Sequence, residues 1–87
     1  MPSVTVILPT WNRAEWLETA IESVLTQTFR DYELIVVDDA STDSTAEIFE
    51  RYSGKIRCII LTKNRGVSAA RNAAVLKSDS EWIAFLD

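Results

Sequence analysis

Two adjacent carboxylates, Asp38 and Asp39, follow the apolar run "ELIVV" and are the residues best suited to chemistry. Carboxylates accept hydrogen bonds from a ligand and coordinate divalent cations through hard oxygen atoms. Because side chains alternate between the two faces of a strand, the two carboxylates should not point at one target. We therefore predict two different roles at this strand exit. The alternative is that they only help to cap the next helix, as Asp43 or a neighbouring serine could also do.

Other polar candidates occur where apolar runs end. The stretch "PTWNR" follows the first run, "TKNRG" follows the third, and Asp87 follows the fourth. Arg71 lies in a segment otherwise rich in alanine and valine, which argues against a purely solvated surface position. The simpler alternative for Arg13 and Arg71 is a surface role. The three tryptophans, Trp11, Trp16 and Trp82, are interpreted as packing residues rather than as stacking platforms.

The composition excludes several classes of site. The 87 residues include no histidine, which rules out Ser-His-Asp and Cys-His catalysis and every metal site that needs a histidine ligand. With only two glycines the chain has no glycine-rich phosphate loop, so a dinucleotide site is not expected. A net charge of -4 argues against nucleic acid or an anionic membrane surface as a partner.

The single cysteine, Cys58, lies in the apolar run "IRCIIL" and is predicted to be a buried structural thiol. One thiol without a partner fits a reducing compartment. The amino-terminal stretch lacks the basic region of a signal peptide, and no apolar run approaches the ~20 residues of a membrane span. We therefore expect a cytoplasmic protein with no membrane span in this chain.

The apolar pattern alternates between the period of a strand and that of a helix. Strands are predicted at "SVTVILP", "YELIVVDD", "KIRCIILT" and "EWIAFLD", and helices lie between them. Asn12 followed by Glu15 predicts a capping box at the start of the first helix. Strand–helix alternation with continuous apolar strands predicts an α/β fold of βαβαβαβ order, with a mainly parallel four-stranded sheet between two helical layers. The polar candidates then meet at the carboxyl ends of the strands, where such sheets bind ligands.

Several stretches, in order, carry a resemblance that covers the whole chain. They are "VTVILPTWNRAEWLETAIESVLTQTFRDYELIVVDDASTDSTAEI", "NRGVSAARNAA" and "WIAFLD". The chain resembles the N-terminal part of a family 2 glycosyltransferase, the Rossmann-like half of a GT-A fold. The resemblance implies inverting transfer of a sugar from a nucleotide diphosphate donor, usually a UDP-sugar, to an acceptor hydroxyl, with Mn²⁺ or Mg²⁺ as cofactor.

The resemblance also assigns roles to individual residues. It implies that Pro9, Thr10 and Asn12 shape the pocket for base and ribose, with Arg13 at its edge. It implies that Asp39 accepts the imide N–H of uracil, and that Asp38 stabilises the loop or approaches the same base. Arg71 would face the pyrophosphate, where a guanidinium makes charge-assisted contacts. Asp87, at the start of a DxD-like motif, would contact the ribose or the metal.

The same resemblance implies that residues 1–87 form a single domain, the truncated donor-binding half of a longer enzyme. The second aspartate of the DxD motif and the general base are absent from the sequence, so we expect no catalytic residue here and no activity of the chain alone. The uncovered fourth strand predicts self-association. The full-length enzyme could lie at the inner face of the membrane.

Two alternatives remain open at this point. The first is a non-catalytic nucleotide-binding module or a structural fragment whose half-site is too weak to hold a ligand. The second concerns residues 38–87 only, which resemble the receiver domain of response regulators. In that family an acidic pair holds Mg²⁺ and a later aspartate, here Asp87, accepts a phosphoryl group.

Overall fold

The structure is a computed structural model and describes residues 2–86. Within them four strands alternate with three helices. The elements are β1 (Val4–Thr10), α1 (Ala14–Leu25), β2 (Tyr32–Asp38), α2 (Thr45–Arg51), β3 (Arg57–Ile60), α3 (Val67–Lys77) and β4 (Trp82–Phe85). The strands form one sheet in the order β3-β2-β1-β4, and all three pairings are parallel. The predicted α/β alternation and parallel sheet are confirmed.

The two central strands carry the core on both faces of the sheet. In β2, the four consecutive residues Leu34, Ile35, Val36 and Val37 are buried, which explains the continuous apolar run in the sequence. Leu34 and Val36 pack with α1 and α2 in one cluster, whereas Ile35 and Val37 pack with α3 in another. The helices therefore lie on both faces, and the predicted three-layer arrangement is confirmed.

Helix α3 approaches the sheet closely because its inward residues are small. Ala70 and Ala74 are both fully buried against Ile7, Ile35 and Val37. Their methyl groups let the helix axis lie nearer to the strands than a leucine or an isoleucine would allow. The first residues of this helix form part of the site described below.

The predicted capping box at the start of α1 is wrong. The residue before the helix is Arg13, and it makes no capping hydrogen bond through its side chain. Asn12 adopts a left-handed backbone with φ of 50°, and its side-chain oxygen instead accepts a hydrogen bond from the N–H of Thr42, at 2.7 Å. A tertiary contact between two loops has taken the side chain that local sequence assigned to the helix.

The prediction that Cys58 is a buried thiol is also wrong, because β3 lies at an edge of the sheet and the residue is exposed. Neighbouring atoms still shield the Cys58 thiol partly from water, and this desolvation raises its pKa. At the other edge, the large side chains of β4 are open to solvent, with Trp82 66% and Phe85 51% exposed. None of the helices in residues 2–86 has both the length and the apolar character needed to cross a membrane.

Candidate functional site

A cavity of about 410 Å³ opens at the carboxyl ends of β1 and β2, beside the start of α3. Its volume lies in the range of ligand pockets, roughly 300–1,000 Å³. Strand β1 has β2 on one side and β4 on the other, so the cavity adjoins the point where strand order reverses. The lining residues are Pro9, Thr10, Trp11, Arg13, Trp16, Asp39, Asn64, Gly66, Val67 and Ala70.

The carboxylate of Asp39 is the buried charge of this cavity. The residue is only 5% exposed, and its two oxygens accept the N–H groups of Arg65, at 2.8 Å, and Gly66, at 2.9 Å. Negative charge at this place also suits the positive end of the α3 dipole. Because a carboxylate offers about four acceptor positions, Asp39 can still accept a hydrogen bond from a ligand in the cavity.

Asp38 has a different surrounding, as the alternation of side chains predicted. It is buried, and its Oδ1 accepts the N–H of Ser41 at 3.1 Å, which closes the turn after β2. Ala40, inside that turn, has a left-handed φ of 65°. Asp38 lies outside the lining of the cavity. Of its two predicted roles, this geometry matches stabilisation of the loop.

Hydrogen bonds join the loop after β1 to the loop after β2. The N–H of Asn12 donates to the Ser41 hydroxyl at 2.8 Å, and its side-chain oxygen accepts the N–H of Thr42. Asp39 continues the connection, since its N–H donates to the carbonyl of Thr10 at 2.9 Å. Asn12 therefore lies beside the cavity without lining it, and it is engaged with the second loop.

Asp43 serves the first turns of two helices at once. Its Oδ2 accepts the N–H of Ala14, the first residue of α1, at 3.1 Å. Its Oδ1 accepts both the N–H and the hydroxyl of Thr45, the first residue of α2. The hydrogen bond from the Thr45 hydroxyl is the main cause that lowers the pKa of Asp43. Sequence reasoning predicts Asp43 only as a cap of the helix that follows it. The contact to α1 spans 29 residues, so local sequence does not indicate it.

Aromatic side chains form the mouth of the cavity together with Arg13. The Arg13 guanidinium lies 4.7 Å from the centre of the Trp16 ring, a distance typical of cation–π contacts. Trp16 is half-buried and Trp11 is 50% exposed, so both present ring surface to the cavity. Their interpretation as packing residues did not include a position in the lining of a cavity. The available signal was the position of Trp11, directly after a strand that ends at the ligand-binding edge.

Arg71 lies on α3 but outside the lining described above. Its guanidinium carbon is 5.4 Å from the centre of the Phe85 ring on β4. The residue is half-buried, and this contact joins α3 to the edge strand β4. Asp87, the remaining predicted site residue, lies outside the described residues. Of the predicted set, the cavity brings together Pro9, Thr10, Arg13 and Asp39.

A divalent metal ion would need ligands in addition to those that the structure describes. Residues 2–86 contain no group of three or more acidic, cysteine or histidine side chains arranged to hold one. Asp38 and Asp39, the adjacent carboxylates, are directed to different partners and do not form such a group. The described side chains therefore do not form a complete metal site.

Comparison with known proteins decides the family. A model of the family described as Glycosyl transferase family 2 matches residues 5–87. The chain belongs to glycosyl transferase family 2. This family 2 chain is 44% identical over 92 residues to the poly(ribitol-phosphate) beta-N-acetylglucosaminyltransferase TarP of Staphylococcus aureus (strain N315), covering 100% of the chain and 28% of TarP. It spans about a third or less of the curated relatives that it matches.

Solved structures of glycosyltransferases share the fold. The S. aureus TarS 1–349 structure in complex with UDP-GlcNAc matches with a TM-score of 0.84 and 35% identity, over 98% of this chain and 26% of that one. The mannosyltransferase PcManGT from Pyrobaculum calidifontis, in complex with GDP-Man and Mn²⁺, matches with a TM-score of 0.76 and 32% identity, over 88% of this chain and 24% of that one. The family 2 chain thus has the Rossmann-like part of a GT-A fold. The whole-chain family match also favours this resemblance over the receiver-domain alternative.

Proposed function

We propose that residues 1–87 form the nucleotide-sugar-binding domain of an inverting glycosyltransferase, with a UDP-sugar as the donor. The observation that carries this proposal is the buried carboxylate of Asp39, held by two N–H groups at the wall of a 410 Å³ cavity. The TarS structure in complex with UDP-GlcNAc, at 35% identity, supports the same class of donor.

In this proposal the nucleoside occupies the cavity. Asp39 accepts the imide N–H of uracil, because its carboxylate is fixed in place and keeps acceptor positions beyond the two that are used. Pro9 and Thr10 line the cavity, and Arg13 is held over the Trp16 ring. The mixture of apolar surface and one buried charge suits a flat base with a single central donor.

The diphosphate is proposed to lie beyond the cavity, toward β4. Arg71 is the cation on that side, close to the Phe85 ring, and would make charge-assisted hydrogen bonds with phosphate oxygens. Asp87 is proposed to contact the ribose or to bind Mn²⁺ or Mg²⁺, with phosphate oxygens among the other ligands. When bound, such an ion stabilises the negative charge of the departing diphosphate as a Lewis acid. The Mn²⁺ complex of PcManGT supports the choice of a divalent ion.

We propose that the chain alone binds the donor and does not transfer sugar. No residue of this sequence is assigned as the general base that would take the proton of the acceptor hydroxyl. The chain is also about a third or less of the length of its relatives. We further propose a cytoplasmic location, at the inner face of the membrane for the full-length enzyme, which fits the single thiol.

We also propose that the chain associates with a second copy through β4. This edge strand offers unpaired main-chain groups to solvent, and Trp82, Ile83 and Phe85 add exposed apolar surface. Light scattering at micromolar concentration should detect a dimer or a larger assembly. Replacing Ile83 by lysine should shift the distribution toward the monomer, and a wild-type chain that is already monomeric would contradict the proposal.

Calorimetric titration of the chain with UDP, with and without Mn²⁺, tests donor binding. The Asp39→Asn variant removes the charge, and Asp79→Asn is the matched control because Asp79 is exposed in the loop before β4, at the opposite end of the sheet. A charged hydrogen bond contributes about 1.5–3 kcal/mol, so Asp39→Asn should weaken UDP about tenfold or more while the control does not.

A modified ligand separates loss of the contact between Asp39 and uracil from any effect of the Asp39 substitution on the fold. UDP methylated at the imide nitrogen lacks the donor, so wild-type protein should bind it at least tenfold more weakly than UDP. In Asp39→Asn this difference should shrink, because the charged acceptor is already gone. No binding of UDP at millimolar concentration would refute a functional donor site in these 87 residues. Equal or tighter binding of GDP would refute uracil as the base.

A further inference from the structure

Four residues form a continuous line of hydrogen bonds beside the cavity. Asp38 Oδ1 accepts the N–H of Ser41, and the Ser41 hydroxyl accepts the N–H of Asn12. The Asn12 side-chain oxygen then accepts the N–H of Thr42, at 2.7 Å, and its hydroxyl at 3.4 Å. We name this set of contacts the loop clip, formed by Asp38, Ser41, Thr42 and Asn12. It links the β1–α1 loop to the β2–α2 loop.

The loop clip holds the loop after β1, which carries two residues of the cavity wall. Trp11 and Arg13, the neighbours of Asn12 in sequence, both line the cavity, and Arg13 in turn contacts the ring of Trp16. Asn12 is exposed and its side-chain oxygen is directed to the second loop. The position of Trp11 and Arg13 is therefore set by a residue that does not itself line the cavity.

The geometry points to Asn12 and Asp38 as positioning residues for the donor, which act through the loop clip and not through contact with the nucleotide. This inference rests on the proposed function, since it concerns the same cavity. It takes up the loop-stabilising one of the two roles predicted for Asp38, and it specifies how Asn12 shapes the pocket. The residue needed at position 12 must tolerate a left-handed backbone and supply an acceptor to Thr42, and asparagine and aspartate meet both demands.

The difference between asparagine and aspartate makes the inference testable. Asn12→Asp keeps an acceptor for Thr42 but removes the N–H₂ donor that a direct contact with the base or ribose would use. Asn12→Gly keeps the left-handed backbone and removes the acceptor. Asn12→Ala removes the acceptor and strains the backbone. The three variants separate a clip from a ligand contact.

Amide hydrogen exchange reads the loop clip without any ligand. The N–H of Thr42 should be protected in the wild type and in Asn12→Asp, and should lose protection in Asn12→Gly and Asn12→Ala. Asp38→Ala and Ser41→Ala should lower the same protection, since each removes a member of the line. Ser44→Ala is the matched control in the same loop, because Ser44 makes no capping hydrogen bond through its side chain. Retained protection in Asn12→Gly would overturn the inference.

Calorimetric affinity for uridine and for UDP gives the functional readout. Loss of the clip should lower the fraction of chains with an ordered wall, so Kd should rise about tenfold. Asn12→Asp should match the wild type for uridine. Uridine carries no phosphate charge. A loss of affinity for uridine in Asn12→Asp therefore cannot come from repulsion between the introduced carboxylate and a diphosphate.

The outcomes divide clearly. Weaker uridine binding in Asn12→Gly and Asn12→Ala, with rescue in Asn12→Asp, supports positioning. Weaker uridine binding in Asn12→Asp with Thr42 still protected would show direct contact by the amide and overturn the inference. Unchanged affinity in Asn12→Gly despite lost protection would also overturn it. If the wild type binds neither uridine nor UDP, the proposed function fails. Acrylamide quenching of tryptophan fluorescence then still tests the loop clip. Stronger quenching in Asn12→Gly than in the wild type supports the clip, and unchanged quenching refutes it.

Discussion

Replacing Asp39 by alanine should reveal how strongly one carboxylate holds the third helix in place. The side chain is 5% exposed and accepts two N–H groups, from Arg65 and Gly66, at 2.8 and 2.9 Å. Hydrogen bonds to charged groups contribute about 1.5–3 kcal/mol each. Because Arg65 and Gly66 are exposed and water can reach their N–H groups after the change, we take the lower value for each bond. The expected loss in the free energy of unfolding is about 3 kcal/mol.

Urea unfolding followed by tryptophan fluorescence measures this loss. For a domain of this size, about 3 kcal/mol corresponds to a fall in Tm of roughly 12–24 °C. Asp39→Asn keeps one acceptor and should lose about half as much, whereas the exposed Asp79→Ala should stay within about 0.5 kcal/mol of the wild type. If Asp39→Ala lowers the free energy of unfolding by less than about 1 kcal/mol, with an unchanged dependence on urea concentration, the view that this carboxylate anchors α3 is refuted.

Three further predictions concern single side chains. The hydroxyl of Thr10 is buried without a hydrogen-bond partner among residues 2–86, so Thr10→Val should raise the free energy of unfolding by about 1 kcal/mol in urea; a decrease would show that the hydroxyl is paired in solution. Because hydrogen bonds from Thr45 lower the pKa of Asp43, its contribution to stability exists above its ordinary pKa of 3.8 and is lost as pH falls through the lowered value. In acid, the Tm of Asp43→Asn should change less steeply with pH than the Tm of the wild type. Equal slopes of Tm against pH would contradict this. Glu22 raises the pKa of Tyr52 to about 12, so the stability from this contact is complete below pH 10 and is lost as pH rises toward 12. Tyr52→Phe should flatten the dependence of Tm on pH over that window. An ultraviolet titration in which the signal lost in Tyr52→Phe has an ordinary tyrosine pKa would refute the assignment.

The sequence was sufficient for the features that depend on local periodicity. The apolar run from Leu34 to Val37 predicts a strand covered on both faces, and the structure places helices there. The alternation of side chains predicts that Asp38 and Asp39 have separate partners. They do, because Asp38 bonds within its own turn and Asp39 bonds across to the start of α3.

The features that sequence reasoning missed depend on which strands become neighbours. Nothing local distinguishes Cys58 from a core residue, yet the order β3-β2-β1-β4 leaves its strand at an edge. Asn12 fits a helix cap by spacing, but the chain brings Ser41 and Thr42 next to it from 29 and 30 residues away. The partners of a polar side chain are set by tertiary contacts, which periodicity does not encode.

The bond between Asp39 and the start of α3 also has a consequence for the order of folding. Gly66 precedes the helix without a capping side chain, and the anchoring carboxylate comes from 26 and 27 residues earlier in the chain. An isolated helix of 11 residues is too short to be stable in water. We therefore expect α3 to remain unstructured until β2 has paired with β1 and brought its exit into position. The cavity wall formed by α3 would then be completed only after the two central strands have paired.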